Sequence, residues 1–376
     1  MRHLWLIALA GCASGGYSRS SLERHIVFLA SDEMKGRDND TPEGLKAGQY
    51  VVDQLQAIGL KPAGVDGTWF HEFEGKGFTG KPVRGRNVAG LLPGRDLAHE
   101  FVVVSAHYDA RGVVGGKVQN GADDNASGVA AVIELARAFA RTPCRRSLVF
   151  IGFDAEEDGL IGSREYVKAK VQDPKDVAAM FVFDCFGGNF TPWEDRRVYA
   201  LGSEYSPEMW DRVGRACAGE RGLDVQRLGV YIIEALYPRS DYDAYRRARV
   251  PFVFLTTATP WFYHTEHDDP DIINYAKLTR GVAFAERLIR GTADDEKRPE
   301  FAAKPSPDYS ADARRLKEGA ERMLKEGRLS DTQREGLRKS IGDLDGIIES
   351  PSAEAVPKMQ RVMVQFFGVV ASQRPK

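Results

Sequence analysis

The chain has 376 residues, with 52 Lys and Arg against 54 Asp and Glu for a formal net charge of −2. That balance leaves no global electrostatic footprint for nucleic acid, so a nucleic-acid binder is not expected. Hydrophobic residues at 43% with 28% charged exclude a disordered scaffold, and no apolar run reaches the roughly 18 residues of a membrane-spanning helix.

The chain opens with Met1-Arg2-His3, an apolar stretch over 4–10, and Gly11-Cys12-Ala13-Ser14. A basic residue, a short apolar region and small residues form the layout of an export signal. Leu9-Ala10-Gly11-Cys12 resembles the bacterial lipoprotein signal, in which the cysteine is lipidated and becomes the new first residue. This reading makes 1–11 a signal peptide and 12–20 a tether. It places the protein outside the cytoplasm (periplasm, outer membrane or cell surface), touching membrane only through a lipid on Cys12. An ordinary first helix is the alternative.

Residues 21–60 carry apolar positions at helical spacing, among them Leu22, Ile26 and Leu29, then Val51, Leu55 and Ile58 before Gly59. The stretch 62–85 is rich in Gly, Pro and aromatics and reads as loops and short edge strands. Strands then alternate with helices: strands at 87–92, 101–106, 148–153, 179–183 and 252–255, and helices at 129–140, 162–170, 207–218 and 275–289. Continuous apolar strands alternating with helices predict an α/β fold, a mixed and largely parallel twisted sheet covered by helices on both faces. A charged stretch with prolines, 291–307, breaks the pattern. Beyond it, Leu316, Met323 and Leu324, then Leu337, Ile341 and Leu344, predict a small helical extension over 308–376. Past Cys12, the remaining cysteines are Cys144, Cys185 and Cys217, an odd count without CxxC spacing; they read as buried apolar residues.

Chemistry-bearing residues fall just after the predicted strands, where α/β sheets bind their ligands. The strand at 101–106 ends in His107-Tyr108-Asp109, and a loop then leads to Gly121-Ala122-Asp123-Asp124-Asn125-Ala126-Ser127-Gly128. The strand at 148–153 ends in Asp154-Ala155-Glu156-Glu157, and that at 179–183 in Asp184. After 252–255 comes Tyr263-His264-Thr265-Glu266-His267-Asp268. Each alone has a plainer reading: Asp123, Asp124 and Asn125 as helix caps, the Glu pair as solvated surface, Asp184 as a turn residue. Together, two His and three carboxylates with no thiolate suit zinc or a related divalent metal.

The ordered set HxD, GADDNASG, a Glu pair, a strand-end Asp and a late His-Thr resembles the two-zinc aminopeptidases, metallopeptidase family twenty-eight. LASDEMKGR at 29–37 and AIGLKPAG at 57–64 are similar to that family's N-terminal region, and the likeness runs from 21 to 289. It implies a zinc-dependent peptidase domain over 21–295 that hydrolyses the N-terminal bond of peptides with a free N-terminus. Two zinc ions per chain are implied: Asp124 bridges them, His107 and Asp184 complete one site, and Glu157 and His264 the other. Two close cations make hydroxide available near neutral pH from a bridging water. The resemblance also implies Glu156 as general base and Asp109 as the carboxylate that orients His107. Tyr263 is read either as a hydroxyl donor to the oxyanion or as a packed aromatic.

His267 offers an alternative ligand, but the HTxxD frame pairs His264 with Asp268. One departure stands out: Ser240-Asp241-Tyr242 occupies the place of the family's Ser-Asp-His, which puts the local loop in question. A glutaminyl-cyclase-like acyltransferase, a carboxypeptidase-type specificity and a non-catalytic binding domain on the same fold are the competing readings. Trp193, Tyr231, Trp261 and Phe262 lie in loops that line a pocket or pack at its rim.

Overall fold

The computed structural model describes residues 17–235 and 238–373; the signal-peptide reading at 1–11 and the lipidation reading at Cys12 fall outside them. Helix α1 (Arg19–Leu29) takes in Arg19 and Ser20, the last two residues of the stretch read as a tether. Helix α2 (Pro42–Ile58) begins where the Thr41 hydroxyl accepts the Gly44 N–H at 3.0 Å. It stops at Gly59, whose φ of 95° is left-handed backbone that closes a helix cheaply only without a Cβ.

Next come β1 (Lys61–Pro62), β2 (Phe70–Lys76), β3 (Pro82–Leu92) and β4 (Leu97–His107). A small hairpin, β5 (Gly112–Val114) and β6 (Lys117–Gln119), precedes α3 (Gly128–Arg141). The alternation continues with β7 (Arg146–Phe153), α4 (Ile161–Ala169), β8 (Val177–Phe183), β9 (Arg197–Leu201) and α5 (Pro207–Gly219). It ends with β10 (Asp224–Leu228), α6 (Tyr242–Arg247), β11 (Phe252–Thr256) and α7 (Tyr275–Ala293). Three helices close the chain: α8 (Tyr309–Glu326), α9 (Asp331–Glu349) and α10 (Val356–Ala371). Sequence patterning passes over β9, and also over β10, where Asp-Val-Gln-Arg-Leu offers only two apolar positions.

Among the described residues nine strands form one mixed sheet, in the order β1-β3-β7-β4-β8-β11-β9-β10 with β2 on the far side of β3. Its centre is parallel, β7 on β4, β4 on β8 and β8 on β11, flanked by antiparallel β3 and β9. Strands β7, β8 and β11 are buried at every position, which is why they read as unbroken apolar runs. One face packs under α1, α2, α3 and α7, burying Leu22, Val51, Ile133 and Leu278. The other carries Tyr166 of α4 and Tyr245 of α6, and the apolar residues of α8 to α10 join that same cluster through Leu316, Leu337 and Phe366. None of the described helices is long and apolar enough to cross a membrane.

Because β4, β7, β8 and β11 run parallel, their carboxyl ends gather along one edge, and the loops that leave them meet there.

Candidate metal centre

His107 closes β4, Glu156 and Glu157 follow β7, Asp184 follows β8, and His264 lies in the loop after β11. Asp124 sits in the distorted turn Ala122–Ser127 that opens α3. The fold converges these groups on Asp124. Its Oδ1 lies 3.2 Å from His107 Nε2 and its Oδ2 lies 3.1 Å from His264 Nε2. His107 Nε2 is also 3.6 Å from Asp184 Oδ1, and His264 Nε2 is 3.2 Å from Glu157 Oε2. Ligating atoms of His107, Glu156 and Asp184 lie within 4.8 Å of one another, as do those of Asp124, Glu157 and His264. His267 stands apart, half-exposed and packed on Trp261.

The residues around Asp124 divide the work. Asp123 turns away, and its Oδ1 accepts the Gly187 and Gly188 N–H groups at 2.7 Å each. Asn125 caps α3 by accepting the Gly128 N–H at 3.1 Å and donates to the Phe183 carbonyl at 2.8 Å. Only Asp124 faces the imidazoles. Gly121, at φ 61°, starts the turn; a Cβ there would fall 2.2 Å from the Asp124 carbonyl oxygen. Behind His107, the Asp109 backbone carbonyl lies 3.2 Å from Nδ1 and the Asp109 Oδ1 3.4 Å from it, while the Asp109 Oδ2 accepts the Glu157 N–H at 3.1 Å.

Four further residues surround these segments. Arg37 is fully buried and donates to the carbonyls of Tyr108, Leu29, Asn120 and Gly121, tying the His107 and Asp124 segments together. LASDEMKGR contains it, but nothing in that string marks Arg37 as the residue that reaches both loops. Arg111 lies 3.3 Å from His264 Nδ1 and 3.7 Å from Glu157. Asp241 is buried, and burial pushes its carboxyl up to about 7. Tyr242, where the family pattern has His, is fully buried, stacks on Phe252 at 5.0 Å and donates to Glu234 at 2.8 Å. The departure is absorbed by packing and removes no group from the cluster.

Electrostatically the cluster crowds buried carboxylates around two imidazoles. Burial and the Asp124 charge push Glu157 up to about 7, and burial raises Glu156 well above the usual carboxylate range. Burial works against Asp124 as well, but its two imidazole partners hold it well below that range. Asp124 and Glu157 in turn raise His264 to about 9 against burial. His107 Nε2, His264 Nε2 and Glu157 Oε1 are buried and make no hydrogen bond, although carboxylate oxygens stand close by. Imidazole and carboxylate donors aimed at common points, and not at one another, fit divalent cations of the zinc type.

Tyr263 stacks on the His264 ring at 3.7 Å and stands between two spaces. One is a cleft lined by Arg111, Glu156, Glu157, His264 and exposed Phe78. The other is a mostly apolar pocket whose lining includes Asp184.

Residues 87–287 match the profile described as peptidase family M28. Aminopeptidase YwaD of Bacillus subtilis (strain 168) is 27% identical over 228 residues, which cover 58% of this chain and 47% of that protein. The chain therefore spans about half the length of this curated relative. The zinc aminopeptidase BSAP from Bacillus subtilis superposes with a TM-score of 0.59 at 16% identity, over 77% of this chain and 99% of that one. Bacteroides thetaiotaomicron glutaminyl cyclase gives the same TM-score at 20% identity, over 73% and 98%. These structural likenesses establish the fold that the alternating pattern predicts.

Proposed function

The chain belongs to peptidase family M28, and from that premise we propose that it is a zinc aminopeptidase with two metal sites sharing Asp124. One observation carries the reading: the two oxygens of the Asp124 carboxylate face two different imidazoles, at 3.2 and 3.1 Å. His107 and Asp184 would complete one site, Glu157 and His264 the other. Zinc bound there supplies an acidified water and a polarised scissile carbonyl.

The chain's own groups do the rest. Glu156, adjacent to His107 and Asp184, takes a proton from the attacking water and passes it to the departing amine. Asp109 holds the His107 ring so that Nε2 points forward. The Tyr263 hydroxyl would donate to the developing oxyanion; Tyr263 stacks on His264 and lines the cleft that also holds Glu156. Substrates are peptides with a free N-terminus. The peptidase unit over 21–295, the extension over 308–376 and an extracytoplasmic lipoprotein form anchored at Cys12 belong to the same proposal.

Zinc content measured alongside hydrolysis of amino-acid anilides tests it. We expect about two zinc ions per chain and anilide release that a chelator abolishes. Zinc with turnover of N-terminal glutamine but of no anilide would replace the reading with acyl transfer. No tightly held zinc under zinc-replete conditions would overturn it.

A further inference from the structure

The C-terminal helices lie beyond the family match at 87–287, yet one of them reaches the centre. The pocket beside Tyr263 is walled by Leu201, Leu228 and Phe254 from the sheet and by Ile233 from the loop after β10. Met363 and Phe367 of α10 add a further wall. Asp184 is part of its lining, and Tyr263 and Arg239 line both this pocket and the cleft, so the two spaces adjoin beside the proposed metal sites.

Contacts outside the pocket hold α10 in place. Gln360 donates to the Tyr231 carbonyl at 2.7 Å, two residues before Ile233. In α8, Asp312 accepts the Tyr231 hydroxyl at 2.8 Å and the Gly229 N–H at 3.1 Å. Phe367 sets its ring edge-on against Phe190, centroids 5.9 Å apart, and the Arg239 guanidinium lies 6.0 Å from the centre of the Phe367 ring. Met363 is buried among them and Phe367 half-buried.

We infer that α10 forms one wall of the pocket that receives the side chain of the substrate's N-terminal residue, so that Met363 and Phe367 set a preference for a large apolar side chain there. The inference rests on the aminopeptidase reading. Continuity with the cleft names the occupant: with the scissile carbonyl at the proposed metal sites, the nearest side chain is the group able to enter a space bounded by Tyr263 and Asp184. A mostly apolar lining gains by desolvating an apolar chain, while a charged one entering it gives up its hydration. The cleft is left for the rest of the peptide.

The test compares kcat/KM on leucine, alanine and phenylalanine anilides for wild type, Met363→Phe and Phe367→Ala, with zinc content and thermal melting recorded for each. Filling the pocket in Met363→Phe should lower the leucine-to-alanine ratio by about tenfold or more, the range a methylene or two commands in an apolar pocket. Opening it in Phe367→Ala should move preference toward phenylalanine over leucine, and this half-buried position keeps the test available if the tighter core of Met363→Phe fails to fold. Ratios unchanged in a folded, zinc-loaded variant overturn the inference while leaving the aminopeptidase reading standing. Absence of anilide cleavage by zinc-loaded wild type overturns both.

Discussion

The carboxylate of Asp268 accepts the backbone N–H of Asp124 at 3.1 Å and that of Asp123 at 2.7 Å. A residue four positions after His264 therefore holds the turn that presents the shared carboxylate to both imidazoles. In Asp268→Asn one carboxylate oxygen becomes an NH2 group aimed at a backbone donor, at a cost of about 1–3 kcal/mol for the unsatisfied pair. Zinc affinity should fall about tenfold or more, as for other groups that orient metal ligands. Competition against a chromophoric chelator measures this. Native affinity would mean the turn holds itself.

Glu156→Gln removes a proton acceptor and keeps the shape. It should retain the fold and the bound zinc, while kcat drops by about two to four orders of magnitude with KM little changed. If activity stays near native while the neighbouring Glu157→Gln loses zinc, the division of roles within this pair is right for Glu157 and wrong for Glu156.

Arg37 donates to four carbonyls while fully buried. Arg37→Met leaves those acceptors without their donor and should lower the unfolding free energy by about 3 kcal/mol or more, read from urea denaturation. Arg37→Lys should recover only part of the loss, because one ammonium cannot span the Tyr108 and Gly121 carbonyls in the guanidinium's planar fork. Full recovery with Lys would assign the role to charge alone.

Glu134 of α3 docks α1. It accepts from the Ser21 hydroxyl at 2.8 Å and lies 3.2 Å from His25 Nε2 and from Arg137 Nε. Burial opposes its charge, but these partners lower its pKa from 4.5 to about 2. A carboxylate depressed in the folded state stabilises above its unfolded value and loses that contribution as pH falls through the folded one. Glu134→Gln should therefore cost about 2 kcal/mol at pH 7, allowing for solvent screening, and the gap should close between about pH 4.5 and 2. Denaturation curves for both proteins across that range decide it; a gap independent of pH would mean the effect is steric.

Strand-end chemistry was legible in the sequence because parallel β-strands are local and apolar. Runs such as 148–153 and 179–183 announce themselves, and whatever follows them lands on one edge. The order His107, Asp124, Glu156-Glu157, Asp184, His264 could thus be read along the chain, as could the helices bounding the sheet. β9 was not set apart, and β10 could not be, because its polar residues acquire strand form only from pairing with β9. Residue types alone do not say which member of Asp123-Asp124-Asn125 faces the imidazoles, since all three are good capping residues; the family resemblance pointed to Asp124, and in the fold the choice depends on Asp268 and on the Gly187 and Gly188 amides.

The sequence by itself determined the buried central strands, the edge on which the polar groups collect and the family to which they point, since each depends on short-range periodicity and on residue types near one another in the chain. Tertiary structure alone decided that Arg37 ties the two ligand-bearing loops, that Asp268 aims Asp124, and that Met363 and Phe367 of α10 wall a pocket opening beside Asp184. Those relationships join residues more than 70 positions apart through burial, and a one-dimensional pattern holds no record of which distant surfaces will exclude water together.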